Sequence, residues 1–309
     1  MSGWLIFDGG ASMASFRAHA KQIDTVSAEW IVCKPDGHAG KREHPTVAEQ
    51  KELLSVARKN GVRVLAMTSN SAGGFNPAVV EKALASEAMM HTHANELVKV
   101  ALDAKIDGID LDYELLKAQD RTAYSKFVKI VADTCHAHGL KVAVALHPKT
   151  SEPGTWDGAQ AQDYAAIGRA VDYVRVMTYD QHWETSEAGP VASPDWVTQI
   201  AKFAASVVPA SKLELGIPSY GYDWVGKKAE SMGWDEFVRR AKSGGGASRD
   251  AASQELIAKY GDHTVYFADG VAARAKFPIA KSLGLRGVAM WRFGSEDPSF
   301  WTELAKARK

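Results

Sequence analysis

The chain has 309 residues, 46% of them apolar and 24% charged, the composition of an ordinary soluble globular protein. Its 37 basic and 37 acidic residues balance, so no net field favours nucleic acid or an anionic membrane, and neither is expected as a partner. No apolar run reaches the ~20 residues a membrane helix needs. The two cysteines, Cys33 and Cys135, lie far apart outside any CxxC spacing, which argues against a disulfide framework or a zinc site and for unpaired core thiols.

The first residues, MSGWLIFDGG, lack the basic start and long apolar region of a secretion signal. That leaves a cytosolic protein or a secreted one whose leader is not in this chain. Short β-rich runs then recur at Trp4–Asp8, Trp30–Lys34, Arg63–Thr68, Gly108–Glu114, Lys141–Leu146, Tyr173–Tyr179, Leu213–Pro218 and Gly287–Phe293. Between them lie amphipathic helical patterns, for example over 46–61, 78–105 and 121–139, the first and third ending at a glycine, a common helix stop. The tract Lys242–Asp250, KSGGGASRD, reads as a flexible loop within a domain. Strands alternating with helices argue for a parallel sheet, and eight such units can close into a barrel of ~250 residues or more as one domain. The expected fold is therefore α/β, a (β/α)8 TIM barrel, with residues 1–309 as a single domain. An open doubly wound sheet is the alternative. Its usual nucleotide motifs, GxGxxG after the first strand or GxxxxGK[ST], are missing.

The stretch DGIDLDYE, Asp107–Glu114, holds four acids in eight residues. As a strand it puts Asp110, Asp112 and Glu114 on one face and Ile109, Leu111 and Tyr113 on the other. On a solvated sheet this would be a wet face of acids. In a parallel barrel both faces are buried, so the apolar set suits the helix side and the acids point inward. Carboxyls stacked at ~7 Å intervals in a low dielectric cannot easily all ionise. Protons should be shared, and the outermost acid, Glu114 at the C-terminal end of its strand, should stay neutral and serve as a general acid. Clustered acids also suit a divalent metal. No EF-hand-like loop accompanies them, and His91 and His93 fall in a helical pattern where they are expected to be solvated, so neither metal nor cofactor is expected. Two carboxyls on one strand approach a sugar from the same side. A conventional glycosidase needs carboxyls as acid and nucleophile on opposite faces, which these cannot easily be; on a glycoside a different nucleophile would be needed, and a substrate's own acetamide can supply it.

Together these residues resemble glycoside hydrolase family 18, the chitinase-like barrel enzymes. The signature D-x-x-D-x-D-x-E is complete in Asp107, Asp110, Asp112 and Glu114. VMTYD (Val176–Asp180) is similar to the family's Met-x-Tyr-Asp element, and GVAMWRFGSEDPSFW (Gly287–Trp301) to its floor-tryptophan strand. Segments 7–31, 181–196 and 216–224 resemble the bacterial branch with spore-cortex-lytic and cell-wall N-acetylglucosaminidases. The resemblance implies that Glu114 protonates the glycosidic oxygen and that Asp112 holds and polarises the acetamide. Asp110 would share its proton with Asp112, Tyr179 would donate to the acetamide oxygen, Met177 and Asp180 would line the subsite, and Trp291 would form its floor. Asp107 reads as a structural loop anchor. Tyr220, Tyr222, Trp224 and Trp183 follow strand ends, placed either to stack on further sugars or to pack under a loop; His182 and His147 have no assigned partner.

Many chitinases insert an α+β module after the seventh strand. The interval from Val225 to Asp262 reads as too short for one, so no large insertion module is expected, and the shallower groove favours attack within a polymer. The expected function is retaining endo-hydrolysis of β-1,4-linked N-acetylglucosamine polymers, bacterial cell wall ahead of chitin, by a monomer acting outside the cytoplasm. The alternatives are a catalytically silent lectin-like barrel, which commonly lacks the last acid, and a metal-dependent sugar deacetylase or phosphoryl-transfer barrel.

Overall fold

The structure, a computed structural model, describes residues 1–307. Eight parallel strands close into a barrel: Ser2–Leu5, Thr25–Cys33, Arg63–Ser69, Gly108–Asp112, Lys141–Leu146, Tyr173–Val176, Leu213–Pro218 and Gly287–Trp291. The first strand pairs with both the second and the eighth, which closes the ring. A short strand, Ala39–Lys41, adds an antiparallel hairpin to the second. Helices cover the outside, and their stops follow local chemistry. Thr46 caps the helix Val47–Asn60 by accepting the Glu49 N–H in a capping box, and Gly61 ends it with φ +69. The single helix expected over 78–105 is two, Pro77–Ala83 and Glu87–Ala104, because Ser86 restarts the helix by accepting the Met89 N–H.

The fourth strand lies as its alternation requires. Ile109, Leu111 and Tyr113 are fully buried on the helix side, where the Tyr113 ring stacks on Phe127 at 6.1 Å. His93 is a correction to the expectation of a solvated helix residue. It is fully buried, its Nδ1 meeting the Gly37 carbonyl at 2.7 Å and its Nε2 the Tyr113 hydroxyl at 2.6 Å. Asp107 does anchor the strand's start: its Oδ2 accepts the Val64 N–H at 2.7 Å, tying the third and fourth strands at their N-terminal ends.

The expectation of no α+β module between the seventh and eighth strands is also corrected. A five-stranded antiparallel sheet stands there, in the order Lys228–Met232, Gly221–Val225, His263–Phe267, Leu256–Tyr260, Ser248–Arg249, with the helix Trp234–Ser243 against it. So many strands fit a short interval because two of the hairpins close in two-residue turns, with Gly226 at φ +62 and Gly261 at φ +56 supplying the left-handed backbone such hairpins need. The unit is fastened to the barrel: the buried Glu255 carboxylate accepts the N–H groups of Val191 and Ala192, each at 2.8 Å, on the loop after the sixth strand. Within the tract expected to be a flexible loop, Arg249 is pinned by a fork to Asp269 at 2.9 and 2.6 Å.

Candidate active site

The three inward acids of the fourth strand differ in depth and partners. Asp110 is deepest and fully buried; its Oδ2 accepts from Trp4 Nε1 at 3.0 Å and from Arg175 Nη1 at 2.5 Å. Arg175 is fully buried too, its Nε on Glu214 Oε2 at 2.9 Å, its Nη1 on Ser27 Oγ at 2.5 Å, and its guanidinium 5.2 Å from the Trp4 ring. Glu214 also accepts from Ser2 Oγ at 2.7 Å and Arg286 at 3.1 Å. The barrel floor is thus a charged network rather than a stack of aliphatic side chains, held because each buried charge has an opposite partner.

Asp112 lies above it and is 5% exposed. Burial, then the Asp110 and Glu29 charges, push its carboxyl up to about 7, against the pull of Arg175 and Arg42. Glu114 is outermost, with 19% of its side chain exposed. Burial first, then Asp112 and Asp180, raise it well above the usual carboxylate range, which favours its protonated form. Tyr179 comes from the end of the sixth strand. Burial and the surrounding acids keep its phenol protonated, a hydrogen-bond donor at any working pH. Its ring has room because the seventh strand carries Gly216, where a Cβ would come within 2.7 Å of Tyr179 Cε1.

These groups open into a cavity of about 790 Å³ at the C-terminal ends of the barrel strands. Asp112, Glu114 and Tyr179 line it, as do Met177, Asp180, Trp291 and Trp183. Asp110 does not; it sits beneath. Tyr220 and Tyr222 line an adjoining cavity of about 290 Å³ that shares Asp180 and Trp291. Both donate to Asp180 Oδ1, at 2.5 and 2.9 Å, and their rings meet edge to face at 5.6 Å, so they present hydroxyls rather than free ring faces. Trp224 is 1% exposed and packs under the loop, its Nε1 on the Trp183 carbonyl at 3.2 Å. His182 Nδ1 meets the Glu187 carbonyl at 3.0 Å. Trp183 keeps an open face, 51% exposed, as does Trp156 at 41%.

Sequence reasoning missed Arg175, Glu214, Trp4 and Trp156. Arg175 shares the alternation of Met177 and Tyr179, and a charge on the inward register of a barrel strand was the available signal. Trp156 comes from a loop and carried no pattern. His147, unassigned from sequence, lines the cavity with its Nε2 3.7 Å from Glu114 Oε2; burial pushes its imidazole down to about 3, so it is neutral there. Among the described residues no group of three or more His, Cys, Asp or Glu is spaced to hold a metal ion, and no helix is long and apolar enough to cross a membrane.

Residues 17–296 match the family described as "Glycosyl hydrolases family 18". A cortical fragment-lytic enzyme of Bacillus subtilis is 30% identical over 261 residues, which is 80% of this chain but 60% of that protein, so the chain spans less than two thirds of it. The crystal structure of a chitinase from Chromobacterium violaceum superposes with a TM-score of 0.90 at 25% identity, covering 100% of this chain and 98% of that one. The spore cortex-lytic enzyme SleL of Bacillus megaterium superposes with a TM-score of 0.87 at 26% identity, over 99% of this chain and 73% of that one. Every barrel strand but the first lies inside the matched span, the acid signature with them, so the chain belongs to glycosyl hydrolase family 18 and is a glycoside hydrolase.

Proposed function

We propose that the enzyme cuts β-1,4-linked glycans containing N-acetylglucosamine, with retention, using the substrate's acetamide as the nucleophile. The observation that carries this is the pair Asp112 and Glu114: both project from one strand end, burial raises both carboxyls, Asp110 raises Asp112 further and Asp112 raises Glu114 further. The remaining carboxyl on the cavity wall, Asp180, is engaged by two tyrosine hydroxyls. Glu114 gives its proton to the glycosidic oxygen as the bond to C1 breaks. The acetamide carbonyl oxygen attacks C1 from the opposite face, and an oxazolinium ion forms. Asp112 takes the hydrogen bond of the acetamide N–H, and the Tyr179 hydroxyl donates to its oxygen. The Glu114 carboxylate then draws a proton from water, which opens the ring at C1 and restores the original anomer. Asp110 tunes Asp112 from below, and Met177, Asp180 and Trp291 shape the subsite.

The polymer we favour is bacterial cell wall, ahead of chitin, cut within the chain. The open faces of Trp156 and Trp183 beyond the acid, on loops after the fifth and sixth strands, support a long substrate. Residues 1–309 would work as one catalytic unit, as a monomer, outside the cytoplasm where such polymers lie. The test is Glu114→Gln, assayed on peptidoglycan, chitin and deacetylated glucosaminan with products read by mass spectrometry. Turnover should vanish while binding of an N-acetylated oligosaccharide stays nearly intact, and the wild type should release long products first. Wild-type-like turnover by the variant would remove Glu114 from the role of acid.

A further inference from the structure

The acid side chain leaves the backbone at a point where the barrel ladder has run out. The third and fourth strands pair as far as Ser69 with Asp112, and the fourth and fifth only as far as Leu111 with Val144. Glu114 lies beyond both, and the next residue, Leu115, adopts φ +57, a left-handed conformation that costs a leucine roughly 1–2 kcal/mol. Left alone, this peptide would relax and swing the carboxyl with it.

Two side chains take the place of the missing strands. Asn70, the first residue past the third strand and 2% exposed, donates Nδ2 to the Glu114 carbonyl at 2.9 Å and accepts the Glu114 N–H on Oδ1 at 2.9 Å. Its carboxamide thus pairs with one residue's N–H and C=O as a neighbouring strand would. The Asn70 carbonyl is itself tied down, accepting the Asn76 N–H at 3.0 Å. From the other flank, past the fifth strand, His147 Nε2 accepts the Leu115 N–H at 3.4 Å, a longer and weaker bond.

We infer that Asn70 is a positioning residue for the general acid, its carboxamide fixing the backbone from which the Glu114 carboxyl reaches the glycosidic oxygen. This rests on the proposed role of Glu114. Asn70 does not line the cavity and does not touch the substrate; it acts through Glu114 alone. A misplacement of ~1 Å costs a reacting pair roughly 100-fold, and here the loss falls on both steps that Glu114 serves, protonation of the leaving group and deprotonation of the water. A sugar leaving group needs that proton, whereas a dinitrophenolate leaves without it.

The experiment compares Asn70→Ala with wild type on two substrates, an N-acetylchitooligosaccharide and the 2,4-dinitrophenyl glycoside of N-acetylchitobiose. On the oligosaccharide kcat should fall about 100-fold with KM within about threefold, while on the dinitrophenyl glycoside kcat/KM, which reads only the steps up to dinitrophenolate release, should stay within about fivefold. The second substrate also reports that the variant is folded. Asn70→Asp, which keeps the shape but replaces the donor with a carboxylate oxygen facing the Glu114 carbonyl, should show the same split. Equal losses on both substrates, or no loss on the oligosaccharide, overturn the inference. Glu114→Gln run beside it on the oligosaccharide separates the two levels. If that variant is dead and Asn70→Ala is not split, only the clamp falls; if that variant turns over freely, the acid assignment falls and the clamp with it.

Discussion

Asp112→Asn should abolish turnover and stabilise the protein above neutral pH. Asp112 is 5% exposed, and its carboxyl is pushed from the ordinary 3.8 up to about 7 by burial first and by Asp110 second. Its folded-state value lies above its unfolded one, so the native protein holds a proton that the unfolded chain has released. Stability from this group is therefore complete below about pH 4 and is lost as pH rises through about 7. At about 1.4 kcal/mol per pH unit, the interval is worth about 4 kcal/mol, an upper figure because neighbouring acids can share the proton. An asparagine carries no such charge and fits the same space. Urea unfolding of both proteins at pH 4.5 and pH 8 measures the difference. The variant should be stabler by a few kcal/mol at pH 8, with the gap shrinking toward zero at pH 4.5. A gap that does not change with pH, or wild type stabler at pH 8, would refute the idea that this acid is held in the fold against its own ionisation.

Arg175→Met should leave Asp110 and Glu214 as buried carboxylates without their shared cation, at a cost of about 3–5 kcal/mol; overlapping urea midpoints would mean that the network carries little. A thiazoline analogue of the cyclised acetamide should inhibit competitively, and Tyr179→Phe should weaken it about tenfold, the worth of one hydrogen bond near 1.4 kcal/mol. Failure to bind at millimolar concentration would count against the acetamide subsite. Turnover should survive a chelator unchanged, and a loss restored by a divalent cation would instead support metal-dependent chemistry at these acids.

Much of this was legible because the fourth strand breaks the ordinary rule of its context. Acids alternating with Ile109, Leu111 and Tyr113 in a parallel α/β pattern leave no wet face for them, so the inward column follows from periodicity and fold class together. The same polarity hid other features. The second strand begins at Thr25, before the apolar run at Trp30, because its inward positions Thr25, Ser27 and Glu29 are polar and give no continuous apolar run. Arg175 and Glu214 were passed over within runs whose apolar neighbours dominate. The inserted sheet was missed because its strands are short and its edge strand Lys228–Met232 is largely exposed and charged, and the signal lay in two glycine turns. Asn70 had no sequence signal at all: its role comes from a chain separation of 44 residues closed by the barrel.

The central claim is that the substrate supplies the nucleophile while the acid column supplies only protons and orientation. Rates on a series of aryl β-glycosides with one leaving group, bearing acetyl, monofluoroacetyl, difluoroacetyl and trifluoroacetyl amides, test it most directly. Each fluorine makes the amide oxygen a poorer nucleophile, so kcat/KM should fall steeply and steadily along the series. A flat series, or equal rates with and without the N-acyl group, would place the nucleophile on the protein and contradict the account.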